Sequence, residues 1–292
     1  MKGRSSSAKN IGNRAEQTAK DVAENPWMEG LARAGFAAKG IVYALVGILA
    51  AQAALGSGGQ TTDTQGVLPT IVAQPFGKVL LSLVAIGLLG YALWRFVEAI
   101  ADPEHKGHDI KGLLQRCSYA GNGLIYAGLA LTAAQIALGS GSASDSDAAS
   151  RDWTARLLAQ PFGQWLVGTI GALFIGLGVY QFYRAYKATF KRQLKLREMS
   201  STEEKWITRT GRFGFAARGV VFAIIGFFFI QAARQSNPDQ ALGLGGALGS
   251  LQQQPYGAWV LGVVALGLLA YGIYFVVQAR YRYIGARANA QR

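Results

Sequence analysis

Gln74-Pro75-Phe76-Gly77 opens a long apolar run, and the same signal returns as Gln160-Pro161-Phe162-Gly163 and, with one aromatic exchanged, as Gln254-Pro255-Tyr256-Gly257. Working outward, the apolar run ahead of each copy holds an aligned glycine, Gly40, Gly123 or Gly219. A glutamine stands 12 residues beyond each of them: Gln52, Gln135 and Gln231. Downstream, each returning run carries Gly-Leu-x-x-Tyr-x-x-aromatic, at Gly87 to Trp94, Gly176 to Tyr183 and Gly267 to Tyr274. Self-similarity of this kind marks tandem supersecondary units that bury their apolar faces against one another. Each unit reads as two apolar segments joined by a turn.

Of the 292 residues, 51% are hydrophobic and 15% charged, against roughly 25% charged in soluble domains. The charges are segregated. None falls within 40–55, 79–94, 123–138, 164–183, 219–233 or 258–279. Extended slightly, each window reaches the roughly 20 residues, at about 1.5 Å rise each, that cross a bilayer core. The expected fold is all-α and polytopic, with six transmembrane helices near Ala34–Leu55, Gly77–Ile100, Cys117–Leu138, Gly163–Ala188, Phe213–Arg234 and Gly257–Tyr281. Two spans per unit return the chain to one side, so the three hairpins are parallel. Closing them into a pseudo-threefold ring, with rotations near about 120°, buries their small-residue faces evenly.

The net charge of +13 suggests nucleic acid only until its placement is read. Seven Lys and Arg precede the first window, four lie in 95–116, ten in 184–218 and four from Arg280 onward. The other three loops hold only Lys78, Arg151, Arg156 and Arg234. That asymmetry is the positive-inside pattern, with both termini and the inter-repeat linkers cytoplasmic and the chain in a plasma membrane. The basicity is topological; no nucleic-acid partner is expected. The organisation is a polar cytoplasmic segment 1–30, repeat 1 at 31–101, repeat 2 at 113–190, a basic linker 191–206, repeat 3 at 207–283 and a cytoplasmic tail 284–292.

Asn25 with Pro26 makes a helix start, and Ser201 with Glu204 has capping-box spacing ahead of Trp206. Trp27, Ile110 and Trp206 begin short amphipathic lead-ins at the inner interface. In the outer loops, Val67 to Ala73 and Trp153 to Ala159 are short semi-apolar pieces expected to lie flat on the surface. After them Pro75, Pro161 and Pro255 are expected in the first turn of the returning helices, with Phe76, Phe162 and Tyr256 as interfacial anchors. The first helix could be taken for a signal peptide, but its copies recur internally, so it reads as a retained span. The second repeat has three extra residues between its proline and its Gly-Leu-x-x-Tyr, about one helical turn, which predicts a local departure in tilt or bulge. Cys117, the sole cysteine, excludes an internal disulfide and reads as buried filler.

This triple arrangement of Gly, Gln, Gln-Pro-Phe-Gly and Gly-Leu-x-x-Tyr resembles the bacterial membrane family called domain of unknown function 1206, over about Leu31 to Tyr283. The resemblance implies a bacterial six-helix membrane protein of three two-helix repeats. It implies no activity, substrate or site residue. Repeat 2 departs most, with Asn122 where the others have Lys39 and Arg218.

Three sets of residues are candidates for a role. Gly40 with Ala44, Gly123 with Ala127 and Gly219 with Ala223 form small-residue stripes whose preferred reading is close helix packing, with room for a ligand as the alternative. Gln52, Gln135 and Gln231 could ring an axial polar site, or else serve helix ends and headgroups. Tyr91, Tyr180 and Tyr271 form a second set, read as core packing with one interhelical hydrogen bond unless they converge on a ligand. Glu104, His105, His108 and Asp109 read as a solvated loop rather than a metal site, since Pro103 and Gly107 disfavour an organising helix. Lys187 to Arg197 reads as a basic helix touching anionic lipid, or as a solvated continuation of the fourth helix.

The windows carry no ionisable group, no haem histidine, no phosphate loop and no Ser-His-acid set, so neither an enzyme nor a proton-coupled transporter is expected, and no cofactor or metal. Two functions remain. The preferred one is a structural or partner-binding helix bundle in contact with membrane lipids and an unidentified membrane-protein partner. The other is a passive conduit or binding site for a small solute or lipid at the centre of the repeats. A dry centre would favour the first, a hydrated cavity met by the glutamines and tyrosines the second.

Overall fold

The structure, a computed structural model, describes residues 25–102, 109–141 and 146–284, together with Gln17. The Glu104, His105 and His108 segment lies outside the described residues, as do residues 1–16 and 18–24 of the polar N-terminal segment. Among the described residues the chain forms nine α-helices and no strand. These are α1 (Pro26–Ala54), α2 (Leu68–Val72), α3 (Gly77–Ala101), α4 (Ile110–Ala137), α5 (Ser146–Leu158), α6 (Gly163–Lys187), α7 (Ser201–Gln235), α8 (Leu244–Gln252) and α9 (Gly257–Tyr281). Five of them, α1, α3, α6, α7 and α9, are long and apolar enough to cross a membrane. The remaining long helix, α4, has 28 residues but a more polar composition, with Asn122 at its middle and Gln115, Arg116 and Gln135 toward its ends.

The lead-ins are not separate elements: α1 and α7 run unbroken from their caps into their apolar stretches. Asn25 caps α1 by accepting from the Trp27 amide at 3.0 Å. The capping box of α7 uses Ser200 and Glu203, one residue ahead of the expected pair, because the chain is extended at Ser200 rather than at Ser201.

The Gln-Pro-aromatic-Gly signal is a turn with a fixed backbone. Phe76, Phe162 and Tyr256 take φ of +58°, +65° and +60° as helix caps, and α3, α6 and α9 start at the following glycine. The prolines therefore stand two residues ahead of each helix, not in its first turn. A left-handed aromatic costs on the order of 1–2 kcal/mol, so the turn must be held from outside. The glycine shows how: a Cβ on Gly77, Gly163 or Gly257 would lie 2.2 Å from a carbonyl oxygen at the end of α2, α5 or α8. The short connecting helix thus seats on the start of the returning helix in every repeat. The connecting segments also meet one another: the Asp147 carboxylate accepts from the Gly243 amide at 2.6 Å, and Gly245 and Gly249 lie against Thr61 to Asp63.

Between hairpins, α3 packs on α4, α6 on α7 and α9 on α1; within hairpins, α1 packs on α3 and α7 on α9. Inside the second hairpin α4 and α6 hardly touch. The glycines give the register. A Cβ on Gly40 would meet the Gly272 oxygen at 2.6 Å, and one on Gly219 the Gly178 oxygen at 3.0 Å. Gly47 faces Ala265 and Leu269, while Gly226 faces Gly171 and Ile175. Each of these partners stands at the same distance from its own proline turn. Equivalence between repeats is therefore counted from that turn without an insertion. This corrects the expected extra turn: α3, α6 and α9 all have 25 residues. What shifts in repeat 2 is the Gly-Leu-x-x-Tyr motif, which slides three residues along α6, about 4.5 Å by helical rise.

Lys187 to Arg197 does not form a basic surface helix. α6 ends at Lys187, Ala188 turns left-handed, and Thr189–Gln193 is a short 3-10 turn that buries Phe190. Phe190 stacks on Phe215 at 5.0 Å between centroids. Burying such a side chain is worth about 1.5–3 kcal/mol, more than the roughly 0–1 kcal/mol of an exposed ion pair, so the aromatic decides where the segment goes. Its backbone then pairs with the end of α9: the Lys195 amide donates to the Tyr281 oxygen at 2.8 Å and the Tyr283 amide to the Gln193 oxygen at 3.1 Å.

Candidate functional site

The small-residue stripes lie at helix contacts of unequal closeness. Gly40 and Ala44 face Gly272, and Gly219 and Ala223 face Gly178, backbone to backbone. Gly123 meets only the ring of Phe96, from 3.0 Å, and Ala127 beside it is half-buried. The Gln ring is not formed. Gln52 and Gln135 are exposed and Gln231 is half-buried. The first two serve the outer helix ends, where their backbone oxygens accept from the amides of Ser57 and Ser140.

The tyrosines do come together. Tyr91, Tyr180 and Tyr271 line one cavity of about 1050 Å³, walled by helices of all three hairpins. They are not equivalent: Tyr91 and Tyr271 are buried, whereas Tyr180 is 52% exposed. Counted from the proline turns, Leu177 holds the position of Tyr91 and Tyr271, and Tyr180 that of Trp94 and Tyr274.

The same cavity gathers six cations, Lys39, Arg95, Arg184, Arg192, Arg218 and Arg282, and among the described residues no Asp or Glu lines it. The charge pattern alone places Lys39, Arg95 and Arg218 at the cytoplasmic face. Lys39 instead is 2% exposed, 13 residues into α1 and so about 20 Å from its start. Its ammonium donates to the Tyr91 hydroxyl at 2.8 Å and sits 4.3 Å from the Phe275 centroid and 4.5 Å from those of Tyr91 and Tyr126. Arg218 donates to the Tyr271 hydroxyl and lies 4.6 Å from the Phe222 centroid. Arg184 lies 4.2 Å from the Phe215 centroid. Lysine and arginine at aligned positions of α1 and α7 thus reach the tyrosine of their own hairpin, and Asn122 takes that place in α4.

One carboxylate lies behind this wall. Glu98, 1% exposed, accepts from Arg95 at 2.6 Å and from Arg282 at 2.8 Å. Arg95 in turn donates to the Tyr91 hydroxyl at 2.6 Å. Lys39 and Arg95 therefore share one oxygen, which bounds their separation at 5.4 Å by the two bond lengths of 2.8 and 2.6 Å. Two like charges at that distance repel by about 3 kcal/mol at an effective dielectric of about 20. Glu98 is consumed by two arginines. Among the described residues no carboxylate pairs with Lys39, Arg184, Arg192 or Arg218. Aromatic faces offset about 0.5–2 kcal/mol apiece, against several kcal/mol for a buried ion such as Lys39; Arg184 and Arg218 are half-buried and Arg192 is exposed. The cavity is therefore strongly electropositive.

The sequence held a signal for this. Tyr91, Arg95 and Glu98 are spaced four and three apart, one face of a helix, and Lys39 and Tyr43 are four apart. Cys117 also differs from expectation: it is exposed, because the face of α4 that carries it has no packed partner in α6.

The family described as Domain of Unknown Function (DUF1206) matches the chain three times, over residues 34–102, 117–188 and 213–282. The chain belongs to this family. Its three DUF1206 matches coincide with the three hairpins, each running from a glycine-bearing first helix to the end of the returning one. A relative named "Uncharacterized protein YxxB", from Bacillus subtilis (strain 168), is 37% identical over 259 residues, 89% of this chain and 93% of its own length. No solved structure matches the chain. The DUF1206 hairpins thus supply a helical membrane-type bundle, and the site chemistry rests on this chain's own residues.

Proposed function

We propose that the protein is a six-span plasma-membrane protein with cytoplasmic termini, whose hairpins stand around a pseudo-threefold axis and bind an anion in the cavity between them. Support for six spans is the matched length of α4 and its place against α3. Support for the threefold arrangement is the cyclic packing of α3 on α4, α6 on α7 and α9 on α1. The basic excess of the inter-repeat side supports the orientation. A binding or conduit role is favoured over a purely structural bundle because the centre is a polar cavity rather than a dry seam. The role needs no catalytic step and no cofactor.

Lys39 carries the proposal: an ammonium buried at mid-helix, surrounded by aromatic faces and further cations, is stabilised by a ligand that brings negative charge. The test is thermal unfolding in mild detergent with and without inorganic phosphate or a short-chain phosphatidic acid. A ligand at 100 times its Kd adds about 2.7 kcal/mol, so either anion should raise the midpoint of the wild type by several degrees. Lys39→Met should unfold no earlier than wild type without anion and lose most of the rise. A wild type indifferent to both anions would refute the proposal.

A further inference from the structure

We infer, building on the proposed anion site, that its ligand is a phosphate-bearing lipid entering sideways from the bilayer between α4 and α6. The first observation is the opening itself. In repeats 1 and 3 the two helices of a hairpin close on glycine: a Cβ on Gly90 would meet Leu31 at 2.5 Å, one on Gly87 would meet Ala38 at 2.7 Å, and one on Gly267 would meet Ala217 at 2.2 Å. In repeat 2, Gly176, at the level of Gly90, has nothing within 4 Å. Gly35 and Gly214, which seat the backbone of Tyr91 and Tyr271, are replaced at their aligned position by the exposed Ser118. One hairpin of three is therefore splayed, and its gap leads into the cavity.

The second observation is the polarity of the gap. Its edges are apolar or amphipathic, with Leu114 66%, Leu173 63% and Tyr183 53% exposed, while its interior end carries Arg184, Arg218 and Lys39. An acyl chain fits the edges and a headgroup the interior. On the cytoplasmic side the segment through Arg192 and Gln193 runs along the cavity and is tied to the end of α9, which narrows access from that side. Charge selects phosphate. Four cations without carboxylate partners match a phosphate monoester of about −1.5 to −2 better than a singly charged fatty carboxylate, and guanidinium forks take phosphate oxygens in pairs. Anionic lipid is thereby placed inside the bundle as well as at its cytoplasmic surface.

The experiment uses the full chain in nanodiscs of phosphatidylcholine doped with phosphatidic acid, followed by native mass spectrometry of lipids retained in detergent. p-Benzoylphenylalanine at position 180 reports proximity by photo-crosslinking. Phosphatidic acid should be retained and labelled in preference to phosphatidylcholine. Arg218→Gln should reduce retention about tenfold or more, the scale of one charge-assisted hydrogen bond, and so should Gly176→Phe, which fills the gap. Leu173→Trp serves as the plug if Gly176→Phe does not fold. Stabilisation by inorganic phosphate with no lipid retained, or undiminished retention in both folded plug variants, would overturn the lateral lipid while leaving the anion site standing. Failure of phosphate and phosphatidic acid alike would sink both.

Discussion

Glu98 shows how much one residue can decide. It neutralises Arg95 and Arg282 and joins the first hairpin to the end of the third across 184 residues of sequence. Glu98→Gln removes the shared carboxylate from two buried guanidinium groups, and breaking a buried pair in this way costs about 3–5 kcal/mol. Arg282→Met should cost less, because Glu98 then still pairs with Arg95. Unfolding of the two variants in detergent checks the order; equal losses would mean that the ion network does not act through Glu98. That Arg95, Lys39 and Arg218 turn inward was only partly legible. They border the charge-free windows, and a charge beside an apolar run is read as cytoplasmic unless its helical phase with Tyr91 and Tyr43 is also counted.

At the scale of elements, the paired helices and the turn between them were legible because glycine, proline and aromatic positions recur at fixed spacing. The register of α6 was not. Aligning Gly176 with Gly87 by motif placed an insertion where the helix has none, since the contact that fixes register lies at the proline turn and at Gly171 and Gly178, not at the tyrosine. The consequence is testable on the glycines. Gly40→Leu drives a side chain into the Gly272 backbone, at 2.6 Å from the first atom added, and overpacking of this kind costs about 1–3 kcal/mol. Gly123→Leu should cost less, because Phe96 can move. Gly176→Leu should stay within about 0.5 kcal/mol of wild type. If thermal unfolding ranked Gly176→Leu as the most damaging of the three, the α4–α6 gap would not exist in the membrane.

For the whole molecule, three hairpins that pack in a cycle enclose the cavity, and on the inference above the splayed second hairpin opens it to the bilayer. On the proposed topology, a membrane-impermeant thiol reagent added from outside labels Asp239→Cys but not Lys195→Cys in a Cys117→Ser background; the reverse pattern would invert the orientation. The central claim is the electropositive cavity, and the most direct measurement is the reaction of Asn122→Cys, on the cavity wall, with anionic and cationic methanethiosulfonates in the same background. Field focusing in such a cleft raises counter-ion access by about 10-fold or more. The anionic reagent should therefore outpace the cationic one by at least that factor relative to an exposed control cysteine, and Arg218→Gln should narrow the ratio. Equal rates, or a preference for the cationic reagent, would contradict the account.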